Sequence, residues 1–285
     1  MEAFTLELKT IEWNIQGAAS VGWAKSRNNF SFKREFVDYL IKEAADVIVL
    51  TEFVTALGWD YFQEQLLKNK YIWFLNQLSG KNGVLIIVKE QILGDKKKFV
   101  HDMYYEQDVV FNGESLSGNF KPDFLHVKLH SLNIIGIRIQ DNKLENWIDR
   151  KQQVESVYRY ISEKKLQNLI ILGDFNHGSA FKEADPTIDY TVGGKYKRKD
   201  YNYQMMRSIF TSGGYSVNTP QFGVYPIQNN QFSWLSKATP NYPTDTPIKL
   251  DHMITSKNIS VDGSELRYVW TDFSDHALLT AKINL

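Results

Sequence analysis

With 285 residues, 43% of them hydrophobic, the chain has enough apolar content for one large domain or two small ones and too much for disorder. Its 33 basic residues balance 33 acidic ones, so no global field draws it to nucleic acid or an anionic membrane, and a phosphate-binding surface has to be local. The absence of cysteine excludes disulfides, thiolate metal sites and a cysteine nucleophile, which leaves oxygen and nitrogen donors only.

The first residues, MEAFTLELKTIEWN, hold no basic segment followed by a long apolar run, so they do not read as a signal peptide. The first β-type run is Phe4–Ile15. After Ser31, Phe32, Phe36, Tyr39 and Leu40 form a helical stripe, followed by strands at Val47–Leu50, Tyr71–Leu75, Val84–Val88, Phe124–Leu129 and Asn133–Ile139. Lys143 to Lys164 carries a second 3.6-type stripe through Trp147, Val154, Val157 and Ile161. The run Leu169–Leu172, apolar throughout, reads as an interior strand covered on both faces, and Tyr201–Phe210 as a short helix. Gly213 to Pro247 reads as a long loop, and loops of that length are often functional. Strands close the chain at Leu250–Thr255, Glu265–Trp270 and His276–Ile283. No repeat, low-complexity tract or linker divides it, so one domain over 1–285 is expected. Hairpin-like pairs outnumber β-helix-β units, and the expected fold is α/β: two mixed, mostly antiparallel sheets packed face to face with outer helices. The apolar runs are far below the ~20 residues that cross a bilayer, so a cytoplasmic protein without membrane association is expected.

Five short polar groups sit at the ends of these strands: Trp13-Asn14-Ile15-Gln16-Gly17, Glu52 after Val47–Leu50, Gly173-Asp174-Phe175-Asn176, Leu250-Asp251-His252 and Ser274-Asp275-His276. Taken singly each has a bland reading. Gly-Asp-x-Asn is a good turn, a lone Glu after a strand is usually solvated, and most Asp-His pairs are structural. Together they gather carboxylates, amides and an imidazole, the hard donor set that suits Mg²⁺ or Mn²⁺. Such ions neutralise the charge that develops on a transferring phosphoryl group.

At these residues the chain resembles the endonuclease/exonuclease/phosphatase superfamily, and the ordered motifs run from residue 13 to residue 276. Asn82-Gly83-Val84-Leu85-Ile86 and Phe232-Ser233-Trp234 add supporting matches. The resemblance implies a four-layer αββα sandwich and a divalent-metal-dependent phosphoesterase. It implies Glu52 as principal metal ligand, helped by Asn14 and Asp275, with Asp174 orienting or deprotonating the attacking water and Asn176 on the phosphate. It implies His276 as phosphate contact or base with Asp251 behind its ring, with the tasks of Asp251 and Asp275 interchangeable in sequence. In one place the chain departs from the family, which usually has His or Tyr near the end of the strand before the long helix. Here Arg138 falls at or beside that position. Arginine stays charged and supplies no proton, so it either stabilises phosphate charge or is a salt-bridged structural residue.

The family cuts DNA, RNA, inositol phosphates and phospholipids, so the motifs do not choose the substrate. Lys195-Tyr196-Lys197-Arg198-Lys199 after Gly193-Gly194 reads as a flexible phosphate-contacting loop or as a plain surface loop. Asn82, His177, Trp234, Lys197 and Arg198 join Arg138 as candidate substrate contacts. His177 is also a candidate substitute acid or an ordinary loop residue. Nucleic acid is the leading substrate and partner. A small phosphoester or phospholipid is the alternative, and a non-catalytic binding or scaffold member is the alternative of another class.

Overall fold

Alternation along the first strand, β1 (Glu7–Asn14), sorts its residues between two layers. Leu8 packs into a core between two sheets, whereas Ile11 and Trp13 pack outward against helices. The computed structural model describes residues 6–15, 32–55, 57–76, 83–93, 104–106, 122–129, 131–140, 147–180, 195–221, 231–236 and 246–285.

The first sheet runs β12 (Ser260–Val261), β14 (Leu278–Asn284), β1, β2 (Val47–Phe53), β4 (Gly83–Lys89) and β3 (Tyr71–Asn76), with β13 (Arg267–Val269) also on β14. The second runs β10 (Trp234–Ser236), β11 (Thr246–Ser256), β8 (Leu169–Ala180), β7 (Leu132–Arg138), β6 (Asp123–Leu129) and β5 (Tyr104–Glu106), with β9 (Tyr215–Asn218) also on β11. β1 pairs β2 and β7 pairs β8 in parallel, and the other described pairings are antiparallel.

Between the sheets lies a core of Val47, Val49, Ile86, Leu125, Val127, Ile134, Ile170, Leu172 and Met253. α1 (Arg34–Lys42) and α2 (Trp59–Lys68) cover the outer face of the first sheet through Phe36, Leu40, Phe62 and Leu66. α3 (Trp147–Glu163) and α4 (Lys195–Ser212) cover the second through Val154, Val157, Met206 and Phe210. The layers are thus α, β, β, α, as expected. The all-apolar Leu169–Leu172 is explained at once, since Ile170 and Leu172 face the central core while Leu169 and Ile171 face the helices.

Four expectations are corrected. α2 is a helix the sequence reading passes over, because its inward stripe of Trp59, Phe62 and Leu66 is short and blurred by the exposed Leu67 beside it. It is entered through Gly58 at φ 87°, where a Cβ would lie 2.9 Å from the Phe32 carbonyl oxygen. Lys195–Lys199 is not a loop but the first turns of α4, which starts well before Tyr201. Gly213 to Pro247 is not one loop, since β9 and β10 fall inside it. Asp174 and Asp251 do not stand at strand ends: β8 and β11 continue past them as an antiparallel ladder with an irregularity between Lys249 and Asp251.

Candidate active site

Cross-strand register places four charged residues in one row of the second sheet: Asp123 opposite Arg138, Arg138 opposite Asp174, and Asp174 opposite Asp251. Directly paired residues share a face, and this row continues the face of Leu125, Ile134, Leu172 and Met253, so it points between the sheets. The first sheet answers with Asn14 and Glu12, which alternate with outward Ile11 and Trp13, and with Glu52. The β2–β4 register slips between Thr51 and Phe53, and Glu52 adopts left-handed backbone at φ 53°. At that kink its carboxylate meets groups from both sheets.

The contacts close the site. Asn14 Nδ2 donates to Asp174 Oδ2 at 2.9 Å and to Glu52 Oε1 at 3.2 Å. Arg138 pairs with the same Glu52 oxygen at 2.8 Å and with Asp123 at 3.3 Å, and Gln140 donates to Asp123 at 3.1 Å. Asn176, at φ 48°, donates its backbone N–H to Asp174 Oδ1 at 2.8 Å and its amide to the Ile139 carbonyl at 2.7 Å. His276 Nδ1 lies 2.9 Å from Asp251 Oδ2. Ser233 Oγ accepts the N–H groups of Leu250 and Asp251, and Tyr268 donates to the Asp251 carbonyl. Trp13 Nε1 donates to the His276 carbonyl and Ser274 Oγ to the Asn14 carbonyl, which ties the last motif to the first. Ligand atoms of Asp174, Asp251 and His276 lie within 4.8 Å of one another.

Charge crowding perturbs these groups. Burial, reinforced by the charge of Asp251, pushes Asp174 up to about 7, against the pull of His276 and Arg138. Burial alone would lower His276, but Asp251 outweighs it and raises the imidazole to about 10. Burial and the charges of Asp251 and Asp174 hold Glu12 well above the usual carboxylate range.

Asp275 faces solvent at the rim, accepts a hydrogen bond from Trp234, and lies within electrostatic reach of Glu52 and His276. Trp234 belongs to β10 and its backbone bridges to His276. The structure therefore gathers Asn14, Glu52, Arg138, Asp174, Asn176, Asp251 and His276, with Asp275 and Trp234 at the edge. Asn82 lies outside the described residues, and so do the side chains of His177, Lys197 and Arg198, whose backbones belong to β8 and α4. His252 and His126 are buried, bonded to Thr219 and to Tyr160 and Asn133, as structural histidines would be.

A divalent cation suits this donor set. Among the described residues, Glu12, Glu52, Asp123, Asp174, Asp251 and Asp275 gather around the two cationic groups Arg138 and His276. Buried oxygens Glu12 Oε2 and Asp251 Oδ1 have no donor from other groups among the described residues: the two carboxyls can share only a proton carried by Glu12, or a cation. Glu52, Asn14 and Asp275 would hold a hard ion through oxygen.

The sequence reading missed Glu12, Asp123 and Lys249. Glu12 had a usable signal, since it stands two residues before Asn14 and hence on the same face of the strand. Lys249 is buried with Nζ donating to the Pro220 carbonyl at 2.7 Å, and burial lowers it from 10.5 to about 8. Between those values the unfolded chain holds a proton that the folded chain has dropped, so stability rises with pH there. Melting temperatures of wild type and Lys249→Met measured from pH 8 to pH 10 should diverge in favour of wild type. Parallel curves would contradict a neutral buried amine.

Comparison with known proteins agrees with this fold. Among solved structures, D. rerio TDP2 complexed with a single-strand DNA product superposes with a TM-score of 0.58 at 15% identity, covering 98% of this chain and 99% of the other. The human Nocturnin catalytic domain gives 0.53 at 15%, covering 97% and 94%. The endonuclease domain of TRAS1, a telomere-specific non-LTR retrotransposon, gives 0.53 at 12%, covering 98% and 99%. Such low identities speak to fold alone, and no curated protein sequence matches the chain significantly. The model of the Endonuclease/Exonuclease/phosphatase family matches residues 11–276, from within β1 to His276, and the chain belongs to that family.

Proposed function

We propose that this protein is a divalent-metal-dependent phosphodiesterase that hydrolyses nucleic acid. One observation carries the reading: Asp174, Asp251 and His276 converge within 4.8 Å, and Asn14 ties Asp174 to Glu52 on the opposite sheet. Asp174, raised to about 7, is matched to accept a proton from water near neutral pH, where a general base is most effective. The water oxygen bonds to phosphorus, its proton passes to Asp174, the phosphorus–oxygen bond to the leaving group breaks, and the departing oxygen takes a proton from solvent. His276 donates through Nδ1 to Asp251, which fixes the ring and keeps it cationic, so that Nε2–H faces a non-bridging oxygen. Arg138 stays charged and gives no proton to the leaving oxygen. When bound, Mg²⁺ or Mn²⁺ supplies charge neutralisation at the phosphate oxygens.

Nucleic acid is preferred as substrate because the family's nucleases share this fold with full coverage, including a structure holding a single-strand DNA product. The test incubates the protein with plasmid, single-stranded and abasic DNA, RNA and phosphoinositides, each with Mg²⁺, Mn²⁺ or chelator. Cleavage of nucleic acid that chelator abolishes is the expected result. Cleavage of phosphoinositide alone would overturn the substrate class, and activity in chelator would overturn the metal dependence.

A further inference from the structure

Arg138 occupies a place in the site that its charge makes decisive. Its neighbours in the row are Asp123 and Asp174, and it crosses to Glu52 on the other sheet at 2.8 Å. Its side chain and that of Glu52 are each 18% exposed, so the pair is only weakly screened by water. Gln140 braces Asp123 from behind, and Arg138 Nε is buried without an acceptor among the described residues. A guanidinium paired with Asp123 on its own sheet and Glu52 on the other, and within the field of Asp174, is fixed in place rather than free to sweep the substrate.

Two-metal phosphoesterase sites place two cations about 3.5–4 Å apart on shared carboxylates. Building on the metal-dependent reading above, we propose that Arg138 is a resident cation, standing where a second divalent ion would draw on Glu52 and Asp174. The chain then takes a single divalent ion and holds it more weakly than its carboxylates alone would. Arg138 is a positioning residue for Glu52 and a determinant of metal stoichiometry, and it neither donates nor accepts the reaction's protons. Unlike a bound ion, its charge is present at every metal concentration.

The test is Mn²⁺ binding to the full chain, followed by the electron paramagnetic resonance signal of free Mn²⁺, for wild type, Arg138→Gln and Arg138→Lys. Wild type should bind one Mn²⁺ per chain. Arg138→Gln should gain a second equivalent or bind the first at least about tenfold more tightly, equivalent to about 1.4 kcal/mol. Arg138→Lys, which keeps the charge, should stay at one. Calorimetry gives a second readout: added Mn²⁺ should raise the melting temperature of Arg138→Gln more than that of wild type, because the ion relieves carboxylates the variant leaves unpaired. Two ions on wild type would overturn the proposal even if Arg138→Gln failed to fold. So would an Arg138→Gln variant with unchanged or weakened binding, or no Mn²⁺ on either protein. Stoichiometric Mn²⁺ binding without cleavage of any ester would instead sink the hydrolase reading and leave the resident cation standing.

Discussion

Asp174→Asn is expected to lower kcat by roughly 10²–10⁴-fold, the range for loss of a positioned general base, while the melting temperature stays level or rises. The two effects have one origin. Asp174 is buried beside Asp251 and within the field of Glu12, and burial together with Asp251 makes its ionised form expensive. Asparagine is nearly isosteric and its side-chain oxygen still accepts the Asn176 N–H, while its amide nitrogen replaces the oxygen that accepts from Asn14 and Asn176 Nδ2, a cost that the relief of buried charge has to offset. It removes a charge that burdens the fold and with it the basicity that the reaction draws on. Steady-state kinetics on a labelled oligonucleotide, run beside calorimetry, measures both. Turnover within tenfold of wild type would remove Asp174 from the chemistry. A large loss of stability would mean that the carboxylate is structural.

The second large effect concerns architecture. In Gly173→Ala the new Cβ would lie 1.9 Å from the Ile137 carbonyl oxygen and 2.7 Å from its Cγ2. Ile137 and Gly173 face each other in the parallel β7–β8 ladder, one step before Arg138 and Asp174. Backbone cannot rotate aside as a side chain can, so the ladder must open at the point that aligns the charged row. The expected cost is at least about 4 kcal/mol, a large share of the 5–15 kcal/mol by which a domain is stable. Gly263→Ala, where an added Cβ meets nothing within 4 Å, serves as the control and should change stability by no more than about 0.5 kcal/mol. Denaturant titration of both variants decides the matter, and equal midpoints would contradict the close approach.

Much of the fold was readable because hydrophobic period and layer agree. The apolar run Leu169–Leu172 declares a strand with both faces covered, and the long stripe through Trp147 and Ile161 declares an outer helix. α2 escaped because its inward stripe spans barely two turns and an exposed Leu67 blurs it, and β9 and β10 because strands of four and three residues carry little pattern of their own. At the site, Asn14, Glu52, Asp174, Asp251 and His276 were visible as short motifs, yet their assembly depends on pairings that no local pattern records. The row Asp123–Arg138–Asp174–Asp251 exists only through the register of four strands. Arg138 therefore read as an anomaly in sequence, and its two carboxylate partners emerge only in three dimensions. The expected strand ends at Asp174 and Asp251 failed for a related reason: Gly, Asp and Asn favour turns locally, and sheet pairing overrides them.

Glu52 and Asn176 hold left-handed backbone although neither is glycine. Asparagine tolerates that region, but glutamate adopts it at a cost of order 1 kcal/mol or more. The kink at Glu52 therefore sets folding and chemistry at odds. A glycine there would relax the chain while deleting the carboxylate that meets Arg138 and Asn14. The strain released is about 1 kcal/mol, whereas Arg138 would lose its 2.8 Å partner in a largely buried setting, so the ion pair holds glutamate in a backbone conformation that glycine alone would find comfortable.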